Sequence, residues 1–322
     1  DSHRTPRFDL DSVHGGGPVA TPQYYQAAYR RLFALGSNRG SNSSSHPVST
    51  GSRASRPERD LLRSPDASGD WELTGPMNRR RTAILPDPRN DENSVVGQLH
   101  LAFQLFHNRS VREKGCSFED ERYAVRNAYH RIVLKDFPVP VCGSTIMNEL
   151  LRAEAGSAFR HFRRRGFVPY EFAMALFRFG HSMVGESYHL NDHLETHRQG
   201  LPIRFPREDL NDARVLDRMA HSHLGGGWIL PPRWTVQWDR FLKTSFATAR
   251  TQRAQAIDLR ISPPLSGLAV DAETRIERSL PYRTLGRGSH LREAAERPVA
   301  GGQLGPDGAR LDWSHQVEVE AG

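Results

Sequence analysis

His181 lies in the string F-R-F-G-H-S-M, with Phe172, Phe177, Phe179 and Met183 nearby. A lone imidazole in apolar company is usually a satisfied core residue. The same company suits an axial ligand to haem iron, because the macrocycle needs an apolar slot and a histidine that reaches the metal. His189, His193 and His197 recur every fourth residue. On a helix they would form one row of imidazoles, a face that zinc accepts. Asn191-Asp192 opposes a helix there, and a solvated polar segment is the stronger reading. The string T-P-R-F-D-L-D places Thr5, Arg7, Asp9 and Asp11 at alternate positions. Calcium takes this mixture of hydroxyl, carbonyl and carboxylate oxygens, although an Asp-rich turn is the commoner meaning.

Other familiar chemistries are missing from the sequence. Gly15-Gly16-Gly17 and Gly225-Gly226-Gly227 precede no Lys-Ser/Thr, which argues against a phosphate-binding loop. There is no G-x-S-x-G or H-E-x-x-H string. Cys116 and Cys142 are the two cysteines, too few for a disulfide scaffold or an all-thiolate zinc site. Asn42 and Asn108 stand in N-x-S sequons, which matter only if the chain is secreted in a glycosylating host.

The elements that must carry these residues read as mainly α. A helix is expected over about 91–113, with Val95, Leu99, Phe103 and Phe106 as its apolar stripe and His100, Gln104 and His107 on another face. A second is expected over about 118–136, marked by Tyr123, Ala124, Asn127, Ile132 and Val133, and a third over about 169–185, bearing His181. Further helices are expected at 207–221, 235–256 and 288–297. Residues 1–19 read as turns, and 23–35 as a short strand or helix. Residues 36–57, rich in Gly and Ser, read as a disordered loop within one domain spanning 1–322. No alternating strand series, βαβ pattern or repeat is present.

The 322 residues carry 44 basic and 37 acidic side chains, for a formal net charge of +7. Of the basic ones 41 are Arg and three are Lys, which suits bidentate recognition of phosphate or carboxylate. Nucleic acid is one partner class that this allows. The scatter of the charges and the lack of stacking aromatics around Arg163-Arg164-Arg165 favour a compositional bias instead. Hydrophobic residues make up 37% with no long apolar run, so no membrane-spanning helix is expected.

Taken together, five strings resemble the animal-type haem peroxidase superfamily, especially its bacterial branch. They are D-P-R-N-D-E-N-S-V-V-G-Q-L-H-L-A-F-Q-L-F-H-N-R (87–109), R-I-V-L-K-D-F (131–137), E-F-A-M-A-L-F-R-F-G-H-S-M-V (171–184), W-T-V-Q-W-D-R-F (234–241) and I-D-L-R-I-S-P-P-L (257–265). They occur in family order. The resemblance implies a helical haem domain that uses hydrogen peroxide and a small-molecule reductant. It makes His181 the proximal iron ligand and Arg89 the guanidinium that assists O–O cleavage. It makes Glu92 the carboxylate that some members esterify to haem, and assigns Arg178 and Arg287 to the haem propionates. Thr5, Arg7 through its carbonyl, Asp9 and Asp11 become calcium ligands. Arg178, three residues before His181, stands where the fatty-acid dioxygenase branch has a radical-bearing Tyr, and so favours peroxidase chemistry.

Three departures from the family pattern bear on activity. The distal string G-Q-x-x-D-H-D is not in the sequence, Thr284 aligns with the Asn that orients the proximal imidazole, and the continuation after Gly288 differs. A truncated or degenerate member is therefore expected, with a haem-binding pseudo-enzyme as the alternative. The resemblance leans slightly towards a secreted protein.

Overall fold

The computed structural model describes residues 8–37, 59–64, 82–152, 176–192, 201–202, 224–227, 229–230, 234–243, 251–266, 276 and 279–286. Of these, 56% are helical and 6% are in strands, so the class is mainly α. The helices are α1 (Asp11–His14), α2 (Gly17–Ala20), α3 (Ser94–Lys114), α4 (Phe118–Lys135), α5 (Pro138–Cys142) and α6 (Ser144–Arg152). Strand β1 (Gly36–Ser37) pairs antiparallel with β2 (Arg59–Asp60), and β3 (Ser187–Tyr188) with β4 (Leu201–Pro202). No helix among the described residues is long and apolar enough to cross a membrane.

Local signals account for the two long helices. Asn93 caps α3 by accepting from the Val95 and Val96 amides, and Gly115 closes it in the left-handed conformation, returning its N–H to Val111. Ser117 caps α4, and Glu119, Asp120 and Glu121 place negative charge on its first turn. The helices pack together, and Phe118 and Val125 of α4 join Leu10, Val13, Tyr25 and Phe33 in one apolar cluster.

The buried face of α3 is not the expected one. Leu99 and Phe106 are exposed, while Gln98, His100, Gln104, His107 and Asn108 are buried. The cause lies in the segments packed against the helix, which are irregular and hold backbone groups with no ladder to join. Asn108 takes the Phe33 N–H on Oδ1 (2.7 Å) and gives Nδ2–H to the Phe33 carbonyl (3.0 Å). Gln98 does the same for the Trp234 carbonyl (3.0 Å) and the Val236 N–H (2.7 Å). A buried backbone group must be paired, and here helix side chains supply the pairing. Asn108 is thus a structural amide enclosed in the core, which removes it as a glycosylation acceptor; Asn42 lies outside the described residues.

Other expectations are corrected in the same way. On α4, Tyr123 and Ile132 are exposed, and the buried positions are Phe118, Glu121 and Val125. In the 235–256 stretch, the described residues 235–243 and 251–256 are not α-helical, and 244–250 lie outside the described residues. A short 3-10 turn spans Trp238–Arg240, and residues 251–256 return as irregular chain, tied by the Gln252 N–H to the Arg240 carbonyl (2.8 Å) and by the Gln252 side chain to both backbone groups of His189. Residues 22–24 form a 3-10 turn, and Tyr25 bridges Phe33. The start of the Gly/Ser-rich loop, Gly36–Ser37, is strand β1; residues 38–58 lie outside the described residues, as do 207–221 and 288–297.

Arg63 joins the parts that meet beneath the N-terminus of α3. Its Nε lies 2.8 Å from Asp60, and its Nη1 and Nη2 lie 2.7 and 3.0 Å from the two Asp91 oxygens. All three side chains are at least nine-tenths buried. Burial, helped by the Asp60 charge, holds the Asp91 carboxyl above its ordinary range against the pull of Arg63. Asp60 also accepts from the Leu61 and Leu230 amides. Gly226 runs so close to this turn that a Cβ there would lie 1.7 Å from the Asp91 carbonyl oxygen, so only glycine fits.

Two substitutions test this account by chemical denaturation. Arg63→Met leaves two buried carboxylates without their cation and is expected to cost about 3–5 kcal/mol. Asn108→Leu keeps the volume and orphans the Phe33 N–H, while the Phe33 carbonyl keeps the Gln26 amide at 3.2 Å, at an expected cost of about 1–3 kcal/mol. A loss below 1 kcal/mol in either case would contradict the role given to that residue.

Candidate functional site

Arg89 sits in a 3-10 turn, Pro88–Asp91, directly before α3. Asp87 caps the turn by accepting the Arg89 N–H (3.0 Å), and Pro88 supplies the fixed φ of a first-turn residue. The Arg89 guanidinium then folds back on the same carboxylate, with Nε and Nη2 each 3.3 Å from an oxygen. Asp87 is buried, while the Arg89 side chain is 66% exposed. The turn therefore alternates: Asp87 and Asp91 point inward, and Arg89 and Glu92 are displayed outward. The Glu92 carbonyl accepts the Gly226 N–H at 2.9 Å, and the Leu224 carbonyl accepts the Ser94 N–H at 2.7 Å, which fixes the turn against residues 224–226.

His181 lies in a 3-10 helix, Leu176–Met183, where a continuous α-helix over 169–185 was expected. Residues 153–175 lie outside the described residues. The 3-10 geometry has a direct effect on the side chains: positions three apart eclipse, so Arg178 and His181 fall in line. His181 is half-buried, and Phe177 and Phe179 beside it are 63% and 49% exposed. The segment is held from one side. The Asp258 N–H reaches Ser182 Oγ (3.1 Å), the Gln255 N–H reaches the Met183 carbonyl (3.0 Å), and the Ser262 hydroxyl bonds the Val184 carbonyl.

Thr284 belongs to a helical turn whose Leu280 packs with Leu265, Ile261 and Val184, three residues beyond His181. Its hydroxyl donates to the Leu280 carbonyl (2.9 Å), which leaves oxygen lone pairs as what it can offer a neighbour. The 87–93 turn and the segment that follows His181 are anchored on one apolar cluster. Leu190, Leu224, Leu230, Trp234 and Val236 form it, with Val95 from α3 and Tyr188 packed against it. The fold brings together Arg89 with Glu92, and Arg178 with His181, each pair within its own turn.

Of the calcium candidates, Thr5 and Arg7 lie outside the described residues, as does Arg287. Asp9 and Asp11 flank Leu10, whose φ of 56° is left-handed, a strained state for a branched side chain. The Asp11 N–H meets Asp9 Oδ1 at 3.3 Å. Two carboxylates are fewer oxygens than calcium requires, so Asp9 and Asp11 fit only as part of a larger ligand set. Among the described residues no group of three His, Cys, Asp or Glu is arranged to hold a metal ion. His189 follows β3 outside any helix, and His193 and His197 lie outside the described residues, so the proposed row of imidazoles has no helix under its first member.

A second constellation joins the polar face of α3 to His14, which is 93 residues from His107 in the chain. His14 of α1 and His107 of α3 stack edge to face with ring centroids 5.5 Å apart, walled by Phe33 and Phe118. His100 lies two turns back on the same face of α3, with Asn90 Nδ2 at 2.9 Å from its Nδ1. Burial lowers the His14 pKa to about 3, helped by the positive potential of His107, Arg122 and His100 and opposed by the Leu10 carbonyl. Burial lowers His100 to about 4 against the pull of Asp87, and lowers His107 against the Arg31 carbonyl and Glu121. The signal that would have found these residues is their tertiary enclosure, which their spacing along the helix does not reveal.

These shifts fix the sign of a pH effect. His14 and His100 are neutral when folded and take up protons on unfolding below about pH 6.5. Their contribution is complete above that pH and is lost as pH falls towards their folded values of about 4 and about 3. Each histidine should add up to ~1.4 kcal/mol of lost stability per pH unit in that window. Denaturant midpoints measured from pH 7 to pH 5 should fall, and more shallowly in His14→Phe; an unchanged slope in that variant would contradict the assignment. Comparison with family models, curated proteins and solved structures finds no match to this chain.

Proposed function

We propose that this chain is the haem-holding part of an animal-type peroxidase, using hydrogen peroxide to oxidise a small-molecule donor. The observation that carries the reading is the setting of His181: a half-buried imidazole one 3-10 turn after Arg178, in a short helix that also carries the exposed Phe177 and Phe179. These are the residue types that a haem would use: an imidazole for its iron, apolar side chains for the macrocycle and a guanidinium for a propionate. The motif strings quoted above supply the remaining support.

Haem, when bound, would supply a redox-active iron. The residues of this chain would do the rest. His181 would ligate the iron, and Thr284, on a turn packed against the segment after it, would tune that ligand. Arg178 and Arg287 would hold the propionates. Arg89 would stabilise negative charge on a bound peroxide, with Asp87 orienting its guanidinium. Glu92, exposed on the same turn, would be the residue to form an ester with haem. Calcium would be held by Thr5, the Arg7 carbonyl, Asp9 and Asp11.

The test is a haemin titration of the purified chain followed in the Soret band. Saturable one-to-one binding is expected, and it should be lost in His181→Ala. Arg89→Ala should bind haemin normally and, in any peroxide turnover the wild type shows, lose about 10²–10³-fold. Absence of saturable binding, or equal binding by His181→Ala, would sink the reading.

A further inference from the structure

The hydrogen-bond partners of the buried histidines fix where each proton sits. His14 Nδ1 faces the Leu10 carbonyl at 3.3 Å, and a carbonyl only accepts, so Nδ1 carries the proton and Nε2 bears a lone pair. His107 Nε2 faces the Arg31 carbonyl at 3.1 Å, so its Nδ1 bears the lone pair. Asn90 Nδ2 donates to the Ser12 carbonyl (3.3 Å), which identifies it as the amide nitrogen. His100 Nδ1, 2.9 Å from the same nitrogen, therefore accepts, and His100 Nε2 carries the proton.

The other atom of each ring is buried and has no hydrogen-bond partner: His14 Nε2, His100 Nε2 and His107 Nδ1. Gln104 Oε1, between the two helix histidines on the same face of α3, is also unpartnered. So is Glu121 Oε1, within electrostatic reach of His107, while its Oε2 takes Lys114 and Cys116. Four of these five atoms accept, and only His100 Nε2–H donates. The three imidazoles and Glu121 cannot satisfy one another, because they offer one N–H to three acceptors. Each orphan costs about 1–3 kcal/mol, too much for a folded core to carry several times over.

We propose that the face of α3 between His100 and His107, closed by His14, is a binding site for internal water that supplies the missing donors. Each water molecule gives two O–H groups and can accept an N–H, so two waters would meet the four acceptors and the one donor. The alternative donor is a second proton on an imidazole, and burial opposes a charged ring there. A metal ion would also use the lone pairs. Zinc takes four ligands, and no third His, Cys, Asp or Glu among the described residues is arranged to complete such a set.

The test uses the full wild-type chain. Long-range proton–nitrogen NMR of the rings reads the tautomers, and water–protein NOEs read occupancy. The expected result is neutral His14 with its proton on Nδ1, neutral His107 with its proton on Nε2, and long-lived water contacts to the ring C–H groups of both. In Gln104→Met, which removes one acceptor at similar length, at least one of those contacts should be lost. Opposite tautomers in the wild type, or no long-lived water at either ring, would overturn the proposal. A stoichiometric transition metal in the purified chain, with ring signals that move when it is chelated, would overturn it in favour of a metal site.

Discussion

A single guanidinium holds three distant stretches of this chain together. Arg63 lies between Asp60 and Asp91, engages both oxygens of the latter, and is almost wholly out of solvent. Asp60 in turn fixes the start of residues 229–230 through the Leu230 amide, and Asp91 belongs to the turn that displays Arg89. The cluster holds two carboxylates and one cation, so its Coulombic balance depends on geometry: a two-oxygen contact with Asp91 and backbone donors for Asp60. Everything the Arg89 turn does outward rests on what it does inward, because Asp87 and Asp91 alternate with Arg89 and Glu92 on a piece of backbone too short to decouple them.

Above that cluster, α3 works as a supply of hydrogen bonds. Helices usually bury an apolar stripe and leave their polar face to water. This one buries amides and imidazoles because the segments beside it, around Phe33 and Trp234, turn backbone groups toward the helix that no strand among the described residues pairs. The side chains of Asn108 and Gln98 each satisfy a backbone N–H and a backbone carbonyl, as a neighbouring strand would. The helix thus substitutes for sheet structure in a chain with only two-stranded ladders among its described residues. The same trade places His100, Gln104 and His107 in the core, and the polar inventory left there exceeds what the protein side can pair.

The boundaries of α3 and α4 were legible because their determinants are local: Asn93 and Ser117 as caps, Gly115 as a stop, acidic residues in the first turn of α4. Their orientation was not. Val95, Leu99, Phe103 and Phe106 make a regular stripe, and only contact with segments 70 or more residues away decides that Asn108 goes in and Phe106 stays out. The two described ends of the 235–256 stretch depart from a helix for a related reason: Val236 is claimed by Gln98, and Gln252 by His189, so long-range bonds outweigh helix propensity there. For the candidate site, the Asp87–Arg89 turn could be read from D-P-R-N-D-E, since Asp followed by Pro is a cap signal. His14 could not be foreseen as a partner of His107, because 93 residues separate them and only the packed core joins them.

The inverted face of α3 also changes how this sequence can drift. In most amphipathic helices the apolar positions are the constrained ones and the polar positions wander freely. Here Leu99 and Phe106 face outward and are free to become Gln or Lys, whereas Gln98, His107 and Asn108 each answer a named backbone atom and have almost no substitutes. A redesign guided by hydropathy would reverse these priorities, keeping the residues that matter least and replacing the ones on which the surrounding loops depend.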